Sequence, residues 1–61
     1  MKYSELERLL RRHGCYPIRE GHKHTIWFSP ITGNEFPVGR HRGEEVKSGT
    51  LAKILKQAGI K

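Results

Sequence analysis

Cysteine is nearly absent: the chain has only Cys15, so no internal disulfide framework can staple it. No Cys/His spacing of the zinc-finger type is present either, and the pattern points to a reduced, cytoplasmic setting. Apolar runs are short. None approaches the roughly 20 residues that a membrane helix requires. The opening, Met1-Lys2-Tyr3-Ser4-Glu5-Leu6, lacks the apolar stretch of a signal peptide. No phosphate-loop or Gly-x-Ser-x-Gly motif occurs, and Glu44-Glu45 are neighbours in a loop with no reason to converge. Repeats, linkers and low-complexity tracts are missing as well. With 61 residues, the chain has room for one domain, 1–61, and not for a dinucleotide-binding fold or a barrel.

What the sequence does have is positive charge. Twelve Lys and Arg face six Asp and Glu, a formal net charge of +6. A basic domain of this size suits polyanions: nucleic acid first, then an anionic membrane surface, then an acidic protein. Nothing calls for a small-molecule cofactor or a metal.

Hydrophobic spacing gives the order of elements. Leu6, Leu9 and Leu10 recur at helical spacing, with Ser4 and Glu7 placed to form a capping box and His13-Gly14 to close the helix. Cys15 to Arg19 reads as a short strand, with Pro17 suited to a sheet edge and Cys15 as a small buried hydrophobe. His24 to Ser29 is the best strand, rich in β-branched and aromatic residues. Glu35 to Val38 is a third. Gly39 to Lys47 is a basic loop. Leu51, Ile54, Leu55 and Ala58 then mark one apolar helix face, with Ser48 or Thr50 as the cap and Gly59 as the stop. Ile60 is placed to fold back as a hydrophobic contact. The expected architecture is α+β, in the order α-β-β-β-α: a three-stranded antiparallel sheet with two helices on one face. In the second strand, Ile26 and Phe28 are expected to face the helices. His24 would then sit at the rim of the core, and Trp27 on the open face, free to stack on a base or pack on a partner.

Three segments carry candidate chemistry. Gly21-His22-Lys23-His24 brings two imidazoles and an ammonium group to a strand start. Histidine titrates near neutrality, and an RNA phosphodiester supplies its own nucleophile, the 2′-hydroxyl. A base, an acid and positive charge are enough to cleave it without a metal. The same residues also fit a plain surface turn. Gly39-Arg40-His41-Arg42-Gly43 is a compact basic patch in which guanidinium forks suit phosphate oxygens. Lys47-Ser48-Gly49-Thr50 places a lysine beside helix N-terminal amides, a natural phosphate site or simply a cap.

Taken in order, Ser4-Glu5-Leu6, Gly21-His22-Lys23-His24, Val38-Gly39-Arg40-His41 and Lys47-Ser48-Gly49-Thr50-Leu51-Ala52-Lys53-Ile54-Leu55 resemble HicA, the mRNA interferase toxin of HicA–HicB toxin–antitoxin pairs. The resemblance implies a fold similar to double-stranded RNA-binding domains. It also implies an essential histidine at the start of the second strand, which here is His24. It implies a HicB-type antitoxin that covers the active site. Two positions depart from the family pattern. Thr25 stands where many members have a second histidine, and Gly39 stands where proline is frequent.

The expectation is a metal-independent mRNA endoribonuclease, the toxin of a type II system. His24 would be catalytic, and His22, Lys23, Arg40, His41, Arg42, Lys47 and Thr50 would bind RNA. The rival is a non-catalytic RNA-binding module of the same fold.

Overall fold

The computed structural model describes residues 1–60; Lys61, the last residue of the expected domain, lies outside them. The elements follow the expected order: α1 (Tyr3–Arg12), β1 (Tyr16–Glu20), β2 (His24–Phe28), β3 (Glu35–Gly39) and α2 (Ser48–Ala58). The strands form an antiparallel sheet in the order β1-β2-β3. Each edge strand carries a proline, Pro17 in β1 and Pro37 in β3, and β1 also has a bulge between Pro17 and Arg19.

Helix α1 begins earlier than Ser4. Lys2 is the residue before its first turn, and Glu5 Oε1 accepts the Lys2 amide at 2.8 Å. That hydrogen bond holds the Glu5 carboxyl below its ordinary pKa. The expected Ser4–Glu7 box is therefore replaced by one two residues earlier, between Lys2 and Glu5. The Tyr3 and Ser4 amides donate to the carbonyls of Glu44 and Arg42, at 3.0 and 3.1 Å, so loop backbone satisfies the helix's free donors. A short bridge between Lys2 and Glu45 extends the same seam. Similarly, neither Ser48 nor Thr50 caps α2. Lys47 occupies that position without a side-chain cap.

The strand parity is opposite to the expectation. Trp27 is only 3% exposed and pairs with Phe36 of β3, while Thr25 pairs with Val38. Directly paired residues share a face, so Thr25, Trp27, Phe36 and Val38 point toward the helices. The core joins Trp27, Phe36 and Val38 to Leu6 and Leu10 of α1, to Ile54 and Ala58 of α2, and to Cys15, Val46 and Ile60. The Arg11 guanidinium lies 5.2 Å from the centre of the Trp27 ring, a cation–π contact across the top of the core. Ile26 and Phe28 take the open face, where Phe28 packs on Tyr16 with ring centres 5.6 Å apart. On that side Arg19 reaches across β2 to Glu35 at 2.9 Å.

The end of α2 is fixed by the loop between β2 and β3. Gly59 adopts φ 78°, and a β-carbon there would lie 2.8 Å from the methyl groups of Ile31 and Thr32. Ile60 folds back as expected and is buried, its amide bonded to Leu55 O. Ser29, fully buried, donates to the Ala58 carbonyl at 2.6 Å, and Thr32 and Asn34 donate to that of Gln57. Ser29→Ala should leave a buried carbonyl unpaired at a cost of about 1–3 kcal/mol. In a domain this small that lowers the melting temperature by at least about 4 °C, readable by thermal circular dichroism.

Candidate functional site

His24 is the first residue of β2 and pairs directly with Gly39, the last residue of β3. Gly39 puts no side chain beside it. A β-carbon at Gly39 would lie 3.2 Å from the Tyr3 ring, so the bare backbone is what lets that ring approach. Beside this pair a cleft of about 250 Å³ opens between the sheet edge and the helices. Tyr3 and Gly39 contribute to it with Pro37 and His24, and α2 supplies Thr50 and Lys53. Ile54 and Gln57 complete its lining. Its lining therefore brings a histidine, a lysine and a threonine beside a partly apolar wall. By strand alternation His24 shares the open face with Ile26 and Phe28, at the strand end beside the cleft and not at the rim of the core.

A second depression of about 250 Å³ runs along α1 between Met1, Glu5, Leu9 and the guanidinium groups of Arg8 and Arg12. It holds two guanidinium groups and a carboxylate but no imidazole, so the cleft at His24 is the better candidate for proton transfer. Among the described residues, no three of His, Cys, Asp and Glu converge as metal ligands would.

Thr50 aside, the other candidate residues spread around the cleft rather than into it. His22 and Lys23 are exposed on the turn that leads into His24. His41 and Arg42 are exposed on the loop after β3, with Arg42 Nε 3.7 Å from Glu7 Oε1. Lys47 is exposed at the start of α2, one helical turn before Thr50. Arg40 points back at the chain: its guanidinium meets the Gly21 and His22 carbonyls and the Glu20 carboxylate. Lys23, Lys47 and Lys53 have no ion-pair partner among the described residues. Thr25, beside His24, donates its hydroxyl to Glu20.

Of the eight lining residues, the sequence reading picks out His24 and Thr50 as site residues, and not Lys53 or Tyr3. Lys53 there is an ordinary solvent-facing lysine, although Thr50, Lys53 and Gln57 are spaced i, i+3, i+7 and share a helix stripe beside the apolar one. Tyr3 reads as part of the apolar stripe. Its role at the cleft depends on a glycine 36 positions away, which no local pattern announces.

Fold and site together define a small basic α+β domain with one imidazole at a cation-rimmed cleft. A family model described as HicA toxin of bacterial toxin–antitoxin matches residues 3–60, nearly the whole chain. The chain belongs to that family: it is a toxin component of a bacterial toxin–antitoxin system, and its partner is an antitoxin. No curated protein and no solved structure gives a significant match. No helix among the described residues is long and apolar enough to cross a membrane.

Proposed function

We propose that this toxin is a metal-independent endoribonuclease acting on unstructured mRNA in the cytoplasm. The observation that carries this reading is the placement of His24 in a cleft edged by Lys53 and Thr50. A neutral ring nitrogen of His24 takes the 2′-hydroxyl proton. The 2′-oxygen attacks the adjacent phosphorus, and the bond from phosphorus to the 5′-oxygen breaks. The product is a 2′,3′-cyclic phosphate and a 5′-hydroxyl. His22 lies outside the cleft lining, so solvent at the open mouth protonates the leaving oxygen. Lys53 offsets charge on the crowded phosphate. Lys23, His22, His41, Arg42, Lys47 and Thr50 hold the strand on either side, the lysines and arginine through its phosphates. A HicB-type antitoxin seated over the cleft would block the reaction, and the basic rim suits an acidic partner.

The test is incubation of the purified protein with RNA in EDTA, followed by end-group analysis. Cleavage should persist, with cyclic phosphate and 5′-hydroxyl ends. Ends bearing 5′-phosphate and 3′-hydroxyl would overturn the mechanism. Binding without cutting would make the protein an RNA-binding module.

A further inference from the structure

Arg40 is the most fully engaged cation near the cleft. Its Nη2 donates to the carbonyls of Gly21 at 2.7 Å and His22 at 3.1 Å, and its Nη1 lies 3.2 Å from Glu20 Oε2. Glu20 in turn accepts from the Thr25 hydroxyl at 3.1 and 3.3 Å. The turn closes on itself where the Gly21 amide donates to the His24 carbonyl at 2.7 Å. A β-carbon at Gly21 would lie 3.0 Å from that same oxygen, so the turn is wrapped closely around it. Residues 20–25 are thus gripped at both carbonyls of the turn, at the carboxylate before it and at the hydroxyl after it. Arg40 follows Gly39, the partner of His24, so the grip ties the turn to the strand end across from the imidazole.

A planar guanidinium can serve two carbonyls and a carboxylate at once, which an ammonium group cannot. Three of its five N–H donors are committed in this way and are not free for a phosphate. We propose that Arg40 is a positioning residue, a latch that fixes the turn before β2 and so holds His24 at the cleft. This rests on the assignment of His24 as the base. His22, Lys23 and His24 are all exposed. Without the latch, the turn keeps the Gly21–His24 hydrogen bond and its flanking strand pairs but loses the tethers on the Gly21 and His22 carbonyls, and a misplacement of about 1 Å can cost about 100-fold in rate.

Single-turnover cleavage, RNA affinity over a range of salt, and amide hydrogen exchange test the latch in Arg40→Gln, Arg40→Lys and Glu20→Ala. Arg40→Lys keeps the charge, so a phosphate contact would survive it. The latch predicts a cleavage rate lower by about 10- to 100-fold, with affinity near wild type. Glu20→Ala removes a negative charge and should help a protein that merely attracts RNA; the latch predicts slower cleavage. Exchange at the Gly21 amide should quicken in all three variants. Wild-type cleavage by Arg40→Lys would overturn the latch. So would an Arg40→Gln variant that loses only affinity, its salt slope shallower by about one phosphate. Exchange needs no catalysis. If the wild-type protein cleaves nothing, the base assignment fails, and the latch then stands or falls on Gly21 protection alone.

Discussion

His24→Ala should lower single-turnover RNA cleavage by about 100- to 10,000-fold, the range expected when a general base is removed. The fold should survive. His24 is exposed at a strand end, and its hydrogen bond to the Gly21 amide uses its backbone carbonyl, which alanine keeps. Surface changes of this kind usually shift stability by no more than about 0.5 kcal/mol. Affinity for RNA should also largely persist, because the proposed mechanism assigns it to cations elsewhere on the rim. The checks are a cleavage time course, a binding isotherm and a thermal melt on the same preparation. In cells, induction of the wild type should arrest growth and fragment transcripts, and induction of the variant should leave both intact. Undiminished cleavage by the variant would remove His24 from the reaction.

Trp27→Ala should remove from about a third to all of the domain's folding free energy. Truncating a buried aromatic costs about 3–5 kcal/mol. A domain of this size has only about 3–9 kcal/mol of total stability at about 0.05–0.15 kcal/mol per residue. Trp27 packs at the centre of the core and also carries the contact with Arg11. Trp27→Phe should recover much of the loss by refilling most of the volume. Urea titration followed by far-UV circular dichroism measures both variants, since removing the single tryptophan abolishes the usual fluorescence signal. A cooperative midpoint close to wild type for Trp27→Ala would place the residue outside the core.

The contrast between these two positions shows what the sequence could and could not convey. Element order was legible because each helix has a clean apolar stripe and each strand is bounded by glycine, proline or asparagine. The end of α2 was legible in detail, since Gly59 and Ile60 form a local signal. Parity in β2 was not, because Ile26, Trp27 and Phe28 are all apolar and alternation is silent there. The neighbouring strand breaks the tie: Glu35, Phe36, Pro37 and Val38 alternate, and pairing transfers their faces to β2. The caps of both helices were misread because Ser4, Ser48 and Thr50 are good local candidates. At α1, loop carbonyls distant in sequence took their place. His24 stood out through its position before a strong strand. The inward turn of Arg40 did not, because a basic loop looks the same in sequence whether its side chains face solvent or grip the chain.

The two prolines on the outer strands have a consequence for how copies of this toxin meet one another. Pro17 and Pro37 each remove an amide donor from the sheet, and the irregularity after Pro17 bends the β1 margin. A strand from another molecule would find an incomplete ladder on either side. Edge-to-edge strand pairing between newly made chains is thereby discouraged, even at the high local concentrations of a burst of synthesis.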